Sequence, residues 1–574
     1  MSLPRVDAVI VGSGAGGAVA AKVLSAAGLR VVLLERGKLY SLKDADHDIL
    51  RSQYYNSGPL GYGPDIKANP RTFRLTPDQT AQLVYANEGQ YGAPYGGTGA
   101  AVGGGTVSFG AQSWRFVEKD FKMKSLYGVP EGTTLEDWPI TYQDLEPYYT
   151  QAEYEIGISG DAGANPFESP RGKPYPMPAL AFDKAGDILA RGAKKLGLHP
   201  FPLPLAILSK DYDGRPACIY CVFCERFMCE VKAKSTMDVT MVPKAVATGN
   251  CELRAQCMVK EVVVDDQGRA RGVVYFGPDN KLYEQPADLV VVSGSATESP
   301  RLLLNSKSKL FPTGLANRTD QVGRHVMHHV GGGGAIGFFE EETFEPYGPG
   351  FTAGVGDFVH ANGAVLGGGV VTTNAEYRQP LSFARSCGWR LGAHPWGKTA
   401  KDFVRKQFRH MVSLGSPGQG MPTEDNRVDL DPTVRDAWGI PVVRTTHRVH
   451  PMDIRSSHFL TTKCIEIMRA AGAIEELLPR LPTDADLEWS LKHNTRGGLG
   501  EHQVGGCRMG NDPKGSVLNR YCQTHDVDNL FVVDGSCFPT IGGFNPVLTI
   551  QANAFRVSDY IAKQWKGGAF RARG

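Results

Sequence analysis

The sequence lacks long apolar runs and an excess of charge of either sign. No stretch of its 574 residues approaches the roughly eighteen apolar residues that a membrane-spanning helix requires. Lys and Arg number 62 against 60 Asp and Glu, so the net charge of +2 gives no reason to expect nucleic acid or an anionic membrane as a partner. The start, MSLPRVDAVIVG, has neither the layout of a signal peptide nor twin arginines, so we expect no export signal of its own.

A regular cysteine framework is also lacking. Of the eleven cysteines, all but four are scattered singly, which is unlike the disulfide framework of a small secreted domain and favours folding in a reducing compartment. The remaining four fall in one short stretch, CIYCVFCERFMC, as Cys218, Cys221, Cys224 and Cys229. Their spacing, C-x2-C-x2-C-x4-C, differs by one residue from an iron–sulfur run. Zinc and free thiols are the alternatives, although a zinc site usually separates two C-x2-C pairs by a longer loop.

Residues 6–35 carry the clearest local pattern, VDAVIVGSGAGGAVAAKVLSAAGLRVVLLE. Two apolar runs flank a glycine turn and an alanine-rich segment, which predicts a buried parallel strand, a helix and a second buried strand. Gly12, Gly14 and Gly17 keep the G-x-G-x-x-G spacing of a dinucleotide-binding turn, and Glu35 ends the second strand, where it would bind a ribose hydroxyl. A dinucleotide site is therefore predicted, and NAD and FAD sites share this motif.

Two further stretches predict contacts with that unit. The glycine-rich YGGTGAAVGGGTVSFGAQSWRF, from Tyr95 to Phe116, is too apolar for a solvated linker and would let backbone pack flat against a ring, with a plain buried loop as the alternative. The C-terminal DNLFVVDGSCFPTIGGFNPVLTI predicts a strand, a turn and a helix from about Pro546. That strand should return to the N-terminal sheet.

These blocks, in this order, resemble the glucose-methanol-choline (GMC) oxidoreductases, an FAD-dependent family, over essentially the whole chain. The matching blocks are GSGAGG, AVGGGTVSFG, GSATESPRLLLNS, VGRHVMHH, EHQVGGCRMG and GFNPVLTI. Two more stretches, WRFVEKDFKMKSLYGV and YDGRPAC, resemble a bacterial branch. That branch contains the catalytic subunits of gluconate 2-dehydrogenase, FAD-dependent glucose dehydrogenase and glucoside 3-dehydrogenase.

The resemblance implies an α/β fold: a Rossmann-like FAD-binding domain joined to a sheet-based α+β substrate domain. The FAD-binding domain is expected to be discontinuous, from 1–140, 205–330 and 500–574, and to include the cysteine segment 218–229. The substrate domain is expected from 331–499 plus part of 141–204. Short apolar stretches such as AVLGGGVV, separated by polar turns, predict strands there.

Oxidation of an alcohol needs a base for the hydroxyl proton, with a pKa near neutral, and histidine suits this task. The resemblance implies that His502 is this base and that Asn545 holds the substrate oxygen while hydride passes to flavin N5. His328 and His329 are interpreted as structural rather than as a metal pair, because adjacent side chains point apart. The cofactor-binding positions that the resemblance implies are Gly12, Gly14, Gly17, Glu35, Gly103, Gly104, Thr106, Ser108, Val259, Asp534, Asn545 and Pro546.

An iron–sulfur cluster takes one electron at a time, and flavin, unlike nicotinamide, readily holds a one-electron intermediate. The expected cofactors are therefore FAD and a cluster, four-iron or alternatively three-iron. The activity that the resemblance implies is oxidation of a secondary hydroxyl of a sugar or glucoside, at carbon 3, with electrons passing through the cluster to a cytochrome. Gluconate 2-dehydrogenase or glucose 1-dehydrogenase activity, an oxygen-using oxidase and a non-catalytic carrier on the same fold are the alternatives.

The branch also implies partners and a location. A chain that carries a cluster but no signal would leave the cytosol folded, bound to a small subunit with a twin-arginine signal. A cytochrome c would then accept the electrons. The expected location is the periplasm or the membrane periphery, with the cytoplasm as the alternative.

Overall fold

The computed structural model describes residues 3–44, 69–84, 99–221, 223–225, 227–345, 347–360, 362–363, 365–374, 383–384, 396–494 and 496–571. The glycine-rich stretch is therefore described from Gly99 onward, and its beginning, 95–98, lies outside the described residues. The same holds for Ala364, the first residue of AVLGGGVV.

Sixteen strands and ten α-helices make up the regular part of the described chain. The strands are β1 (Val6–Val11), β2 (Val31–Leu34), β3 (Arg71–Arg74), β4 (Gln82–Val84), β5 (Pro200–Pro202), β6 (Cys251–Arg254), β7 (Met258–Val264), β8 (Ala270–Phe276), β9 (Leu282–Val292), β10 (Gly333–Phe338), β11 (Ala353–Val355), β12 (Val371–Thr373), β13 (Met411–Ser416), β14 (Arg427–Arg435), β15 (Pro441–Thr446) and β16 (Leu530–Val532). The helices are α1 (Ala15–Ala26), α2 (Met123–Tyr127), α3 (Tyr142–Ile156), α4 (Lys184–Lys195), α5 (Met241–Ala247), α6 (Glu298–Asn305), α7 (Gly397–Gln407), α8 (Pro451–Ala471), α9 (Asp484–Lys492) and α10 (Val547–Lys566). Within the described ranges, none of these helices has the length and apolar character needed to cross a membrane.

The largest sheet, with seven strands, contains the predicted β-α-β unit. β1 pairs in parallel with β2 and with β9, and β6 and β16 extend the parallel part on either side. The first half of β9 instead pairs antiparallel with β8, which pairs antiparallel with β7. The run VVLL of β2 is buried throughout, as expected for a strand covered on both faces. The pairing of β16 with β9 confirms the predicted return of the C-terminal strand.

Two smaller sheets are built mainly from the middle of the chain. One is antiparallel with five strands in the order β10-β13-β12-β11-β5, and the other has four strands in the order β14-β15-β3-β4. β3 and β4 lie inside the segment 1–140 that was assigned to the FAD-binding domain, yet β3 pairs with β15 from 331–499. This long-range pairing joins the two predicted domains, and their boundaries stay a prediction.

Helices cover the sheets and enclose two main apolar cores. α1 packs against α10 and α5, and α10 also packs against α3. The larger core includes β1, β2, β9 and the buried faces of α1 and α10. A second core lies between α4, α8 and the five-stranded sheet. This arrangement confirms the predicted α/β class with a sheet-based second domain.

The prediction of a strand over AVLGGGVV was wrong for most of its length. β12 begins only at Val371, the last residue of that stretch, and residues 365–370 form no strand. Gly367 and Gly368 have φ values of +66° and +151°, and a Cβ on Gly368 would lie 1.9 Å from the carbonyl oxygen of Phe358. The glycines here form a tight loop that a regular strand could not follow.

Candidate active site

A cavity lies at the carboxyl ends of the central parallel strands, where open α/β sheets bind their ligands. β1, β9 and β16 end side by side, with Val11 and Val532 both opposite Val292. The predicted site residues that line this cavity are Gly12, Gly14, Glu35, Gly104, Val259, Asp534 and His502.

Glycines let the backbone segments around this cavity approach closely. Gly12 has φ +95°, and a Cβ there would lie 2.2 Å from the carbonyl oxygen of Ser293. A Cβ on Gly17 would lie 1.9 Å from the oxygen of Gly12, and one on Gly104 would lie 2.7 Å from the Cα of Gly14. Helix α1 starts without a side-chain cap or an acidic residue in its first turn. Such a helix start suits the pyrophosphate of a dinucleotide.

Two carboxylates belong to the cavity wall. Glu35 accepts hydrogen bonds from the amide and hydroxyl of Ser13 at Oε2 and from the amide of Gly37 at Oε1. Burial raises its pKa, against the effect of these hydrogen bonds. Asp534 accepts from the amide of Ser295 at 3.0 Å. A carboxylate offers about four lone-pair sites, so Glu35 keeps one for the ribose hydroxyl that the sequence predicts.

Other predicted cofactor positions lie outside the cavity lining: Gly17, Gly103, Thr106, Ser108, Asn545 and Pro546. The Thr106 hydroxyl donates to the oxygen of Gly103 at 2.6 Å and accepts from the amide of Met237, so it shapes the turn. Pro546 precedes α10, which begins at Val547. The contact of these six residues with a cofactor stays a prediction.

The predicted catalytic pair comes together. Asn545 Nδ2 lies 3.0 Å from His502 Nε2, although 43 residues separate them in the chain. Burial lowers the pKa of His502 to about 4, so the ring is neutral at pH 7 and can accept a proton. His502 also has φ +62°, a left-handed backbone conformation that non-glycine residues adopt infrequently and that clusters at functional sites.

Two residues that the sequence reasoning did not single out complete this centre. Trp114 Nε1 donates to Asn545 Oδ1 at 2.8 Å, and Asn545 Nδ2 also donates to Gln112 Oε1 at 2.9 Å. Both belong to the GAQSWRF end of the glycine-rich stretch, which was identified as a block but not residue by residue. Local sequence spacing cannot predict these contacts, because they join residues more than 400 positions apart.

The backbone that carries His502 is fixed by its neighbours. Val504 and Met327 exchange two backbone hydrogen bonds of 2.9 Å each. Next to them, Gly505 has φ +80°, and a Cβ there would lie 2.1 Å from the oxygen of His325. The glycine of the EHQVGGCRMG block thus allows the close approach that positions the base.

The adjacent histidines of VGRHVMHH contact both catalytic segments. His328 Nδ1 accepts from the amide of Gly500 at 3.0 Å. The ring nitrogens of His329 lie 2.7 Å from the oxygen of Gly418 and 3.0 Å from that of Phe544, and its ring packs edge-on against His502 with centroids 5.0 Å apart. Both rings thus contact backbone atoms, and the interpretation of the pair as structural stays a prediction.

None of the four cysteines of the segment 218–229 lines the cavity. Cys218, Cys221 and Cys229 are partly buried and Cys224 is buried. Burial raises the pKa of Cys224 to about 12, and Lys234 Nζ donates to the carbonyls of Cys224 and Phe227 at 2.7 Å each. Although all four cysteines are described, and only Val222 and Arg226 of the segment are not, no three His, Cys, Asp or Glu side chains of the described residues gather as a metal site. As placed, the thiols do not fit a cluster, which stays a prediction.

The family follows from comparison with known proteins. A family model described as GMC oxidoreductase matches residues 6–331, more than half of the chain, and a second with the same description matches residues 422–554. The chain is a GMC oxidoreductase. The cavity of this GMC oxidoreductase fits the family's cofactor, FAD, because a glycine-lined helix start and two carboxylates line it and it reaches His502.

Three relatives of this GMC oxidoreductase align over nearly its whole length. A 2-methyl-1,2-propanediol dehydrogenase of Mycolicibacterium austroafricanum is 32% identical over 98% of this chain and 96% of its own. A gluconate 2-dehydrogenase flavoprotein of Pantoea cypripedii is 28% identical, covering 98% and 94%. A fructose dehydrogenase large subunit of Gluconobacter japonicus is 28% identical, covering 98% of both chains. The relatives thus include a member of the predicted branch.

The fold is also shared with solved structures. A variant of formate oxidase from Aspergillus oryzae superposes with a TM-score of 0.65 over 98% of this chain and 99% of the other, at 14% sequence identity. At that identity the likeness shows the fold alone.

Replacing the base tests its role. His502→Ala should retain bound FAD but reduce the rate of flavin reduction by an alcohol substrate on the order of a hundredfold or more, because a general base contributes about that much. Anaerobic stopped-flow absorbance measures this rate. Without the substitution, the rate should stay level as the pH is lowered from 7 and fall only as Nε2 is protonated, near pH 4.

His493→Ala, which alters an exposed histidine that follows helix α9 and does not line the cavity, is the matched control and should reduce its flavin at the unaltered rate. Near-normal reduction by His502→Ala would show that the base lies elsewhere.

Proposed function

We propose that this GMC oxidoreductase is a dehydrogenase that oxidises a secondary ring hydroxyl of a neutral sugar or glucoside, at carbon 3, to a ketone. One observation carries the proposal. His502 lines the cavity, and Asn545 Nδ2 lies 3.0 Å from its Nε2, so a base and a hydrogen-bond donor are held side by side. The ring of His502 is neutral through physiological pH and can therefore take up a hydroxyl proton, although its pKa of about 4 lies below the near-neutral value expected of such a base.

The atoms of His502 and Asn545 that face each other indicate the role of each residue. His502 Nε2 takes the hydroxyl proton. Asn545 Nδ2, 3.0 Å from that nitrogen, donates to the substrate oxygen as negative charge develops on it. FAD, when bound, supplies the hydride acceptor.

The arginines nearest these blocks are already engaged, which supports a neutral substrate. Arg508, in the block that carries His502, donates from Nε to the oxygen of Gly515 and from Nη1 to that of Thr134, each at 2.8 Å. Arg115, next to Trp114, is paired with Glu153 at 2.7 Å. A carboxylate substrate would usually need a free guanidinium that binds it with two parallel hydrogen bonds.

The substrates in the names of the three relatives fall into two classes, neutral and anionic. Fructose and 2-methyl-1,2-propanediol are neutral, whereas gluconate is an anion. Gluconate 2-dehydrogenase activity is therefore the main alternative, glucose 1-dehydrogenase activity shares the neutral substrate, and an oxidase would use oxygen directly.

Side-by-side kcat/KM values with an artificial electron acceptor test the choice. Glucose and glucosides should exceed gluconate, because the arginines described above cannot bind its carboxylate. Identifying the product as a 3-keto sugar, a lactone or a 2-keto acid then separates the positions. Gluconate winning by tenfold, about 1.4 kcal/mol of transition-state preference, would overturn the neutral substrate, and fast turnover with oxygen would favour an oxidase.

We further propose that the cysteine segment takes up an iron–sulfur cluster, which its spacing supports. The described arrangement would have to tighten on loading, because no three described side chains gather as a metal site, although Cys218, Cys221 and Cys229 lie near enough to Cys224 to affect its pKa. The structure therefore gives no support for electron transfer through this segment, and the proposal depends on the spacing alone.

Metal analysis decides this point. Protein from an iron-replete host should contain iron and acid-labile sulfide, and Cys221→Ser should lower both. Cys251→Ser, which removes a buried thiol of β6 outside the segment, is the matched control and should leave both unchanged. Zinc in place of iron, or no metal at all, would contradict the cluster.

A small subunit with a twin-arginine signal, a cytochrome c acceptor and a periplasmic location complete the proposal. Its support is that the fructose dehydrogenase relative is itself a large subunit. Fractionation of the native host with a tagged chain should recover the protein in the periplasm or at the membrane together with a smaller chain. Recovery from the cytosol alone would contradict export.

A further inference from the structure

Trp114 makes a hydrogen bond to Asn545 whose direction can be assigned from the chemistry of the indole ring. Its ring is buried, 3% exposed, and Nε1 lies 2.8 Å from the side-chain amide of Asn545. An indole N–H can only donate a hydrogen bond. The amide atom that faces Trp114 is therefore oxygen, and the two ends of Asn545, otherwise hard to tell apart, are assigned.

The other end of the amide is then an NH2 group with two hydrogens, and both have a partner. One points to Gln112 Oε1 at 2.9 Å and the other to His502 Nε2 at 3.0 Å. Because an amide NH2 only donates, Nε2 of His502 must accept. The single proton of the neutral ring then lies on Nδ1, and Nε2 has the lone pair that a base needs.

We propose that Trp114 is a positioning residue that fixes the protonation state of His502 through the orientation of Asn545. The inference rests on the proposed function of His502 as the base. Gln112 cannot set this orientation, because its own amide can rotate by 180° and offer either a donor or an acceptor. Among the three residues bound to Asn545, the indole alone has one fixed polarity.

The reversed orientation of Asn545 shows what Trp114 prevents. Reversal would place Nδ2 against the indole N–H, two donors facing each other in a buried site, which is costly. It would also bring Oδ1 to His502 Nε2, and an acceptor there stabilises a proton on Nε2. The base would then be partly occupied before substrate arrives, and its apparent pKa would rise.

Trp114→Phe removes the N–H while keeping an aromatic ring between Phe201 and Phe544. In the flavin-loaded protein, we expect the pKa seen in the pH profile of flavin reduction to rise above about 4, because Oδ1 of a reversed Asn545 would stabilise a proton on Nε2 while burial still lowers the pKa. A rise of one unit would lower the rate at pH 4 about fivefold compared with the unaltered protein at that pH, with KM little changed.

Trp138→Phe is the matched control. Its buried indole, 5% exposed, donates to the Thr540 hydroxyl at 2.7 Å and does not touch Asn545, so its profile should match that of the unaltered protein. A profile of Trp114→Phe that stays at the unaltered pKa, or that moves equally in Trp138→Phe, would overturn the inference.

Neutron diffraction of the unaltered, flavin-loaded protein is an independent measurement if Trp114→Phe does not fold. It should show hydrogen on Nδ1 of His502 and none on Nε2, and hydrogen on Nε2 at neutral pH would overturn the inference. Failure of the proposed function is distinguishable, because it would appear as full flavin reduction in His502→Ala whatever the profile of the tryptophan variants.

Discussion

The parallel register of β1, β9 and β16 is the constraint on which the site depends. Because these strands end at the same level, the residues that follow them, Gly12, Ser293 and Val533, meet at one edge of the sheet. The gaps there are so small that a Cβ on Gly16 would lie 1.9 Å from the oxygen of Val533. Only glycine fits such contacts, and they leave the space beyond the strand ends as a cavity with His502 in its wall.

The catalytic centre obtains its chemistry from burial rather than from charge. Burial lowers the pKa of His502 to about 4 and that of His329 beside it to about 3, so two neighbouring rings stay neutral at physiological pH. Neutral rings do not repel one another, and a neutral ring carries one N–H and one acceptor nitrogen. The centre therefore needs a residue that fixes the orientation of the Asn545 amide and, through it, the tautomer of His502. Trp114, whose indole N–H can only donate, serves that purpose.

The sequence predicts the parts of this protein that depend on short-range patterns. Apolar runs and glycine spacing identify β1, α1, β2 and the turn at Gly12–Gly17, because strand and helix periods repeat over a few residues. The pairing of β3 with β15, and the contacts of Trp114 with Asn545, join residues hundreds of positions apart and leave no local trace. The cysteine segment shows the reverse case, because its spacing predicts a cluster while no three side chains among the described residues gather as a metal site.

The central claim is that the hydrogen on the carbinol carbon of an alcohol passes as hydride to FAD held in this cavity. Anaerobic rapid mixing of the flavin-loaded protein with glucose, and with glucose that carries deuterium at every carbon, tests it most directly. The account predicts that the flavin absorbance is bleached by both sugars and several times more slowly by the deuterated one. A flavin that is not bleached, or is bleached at the same rate by both, would contradict it.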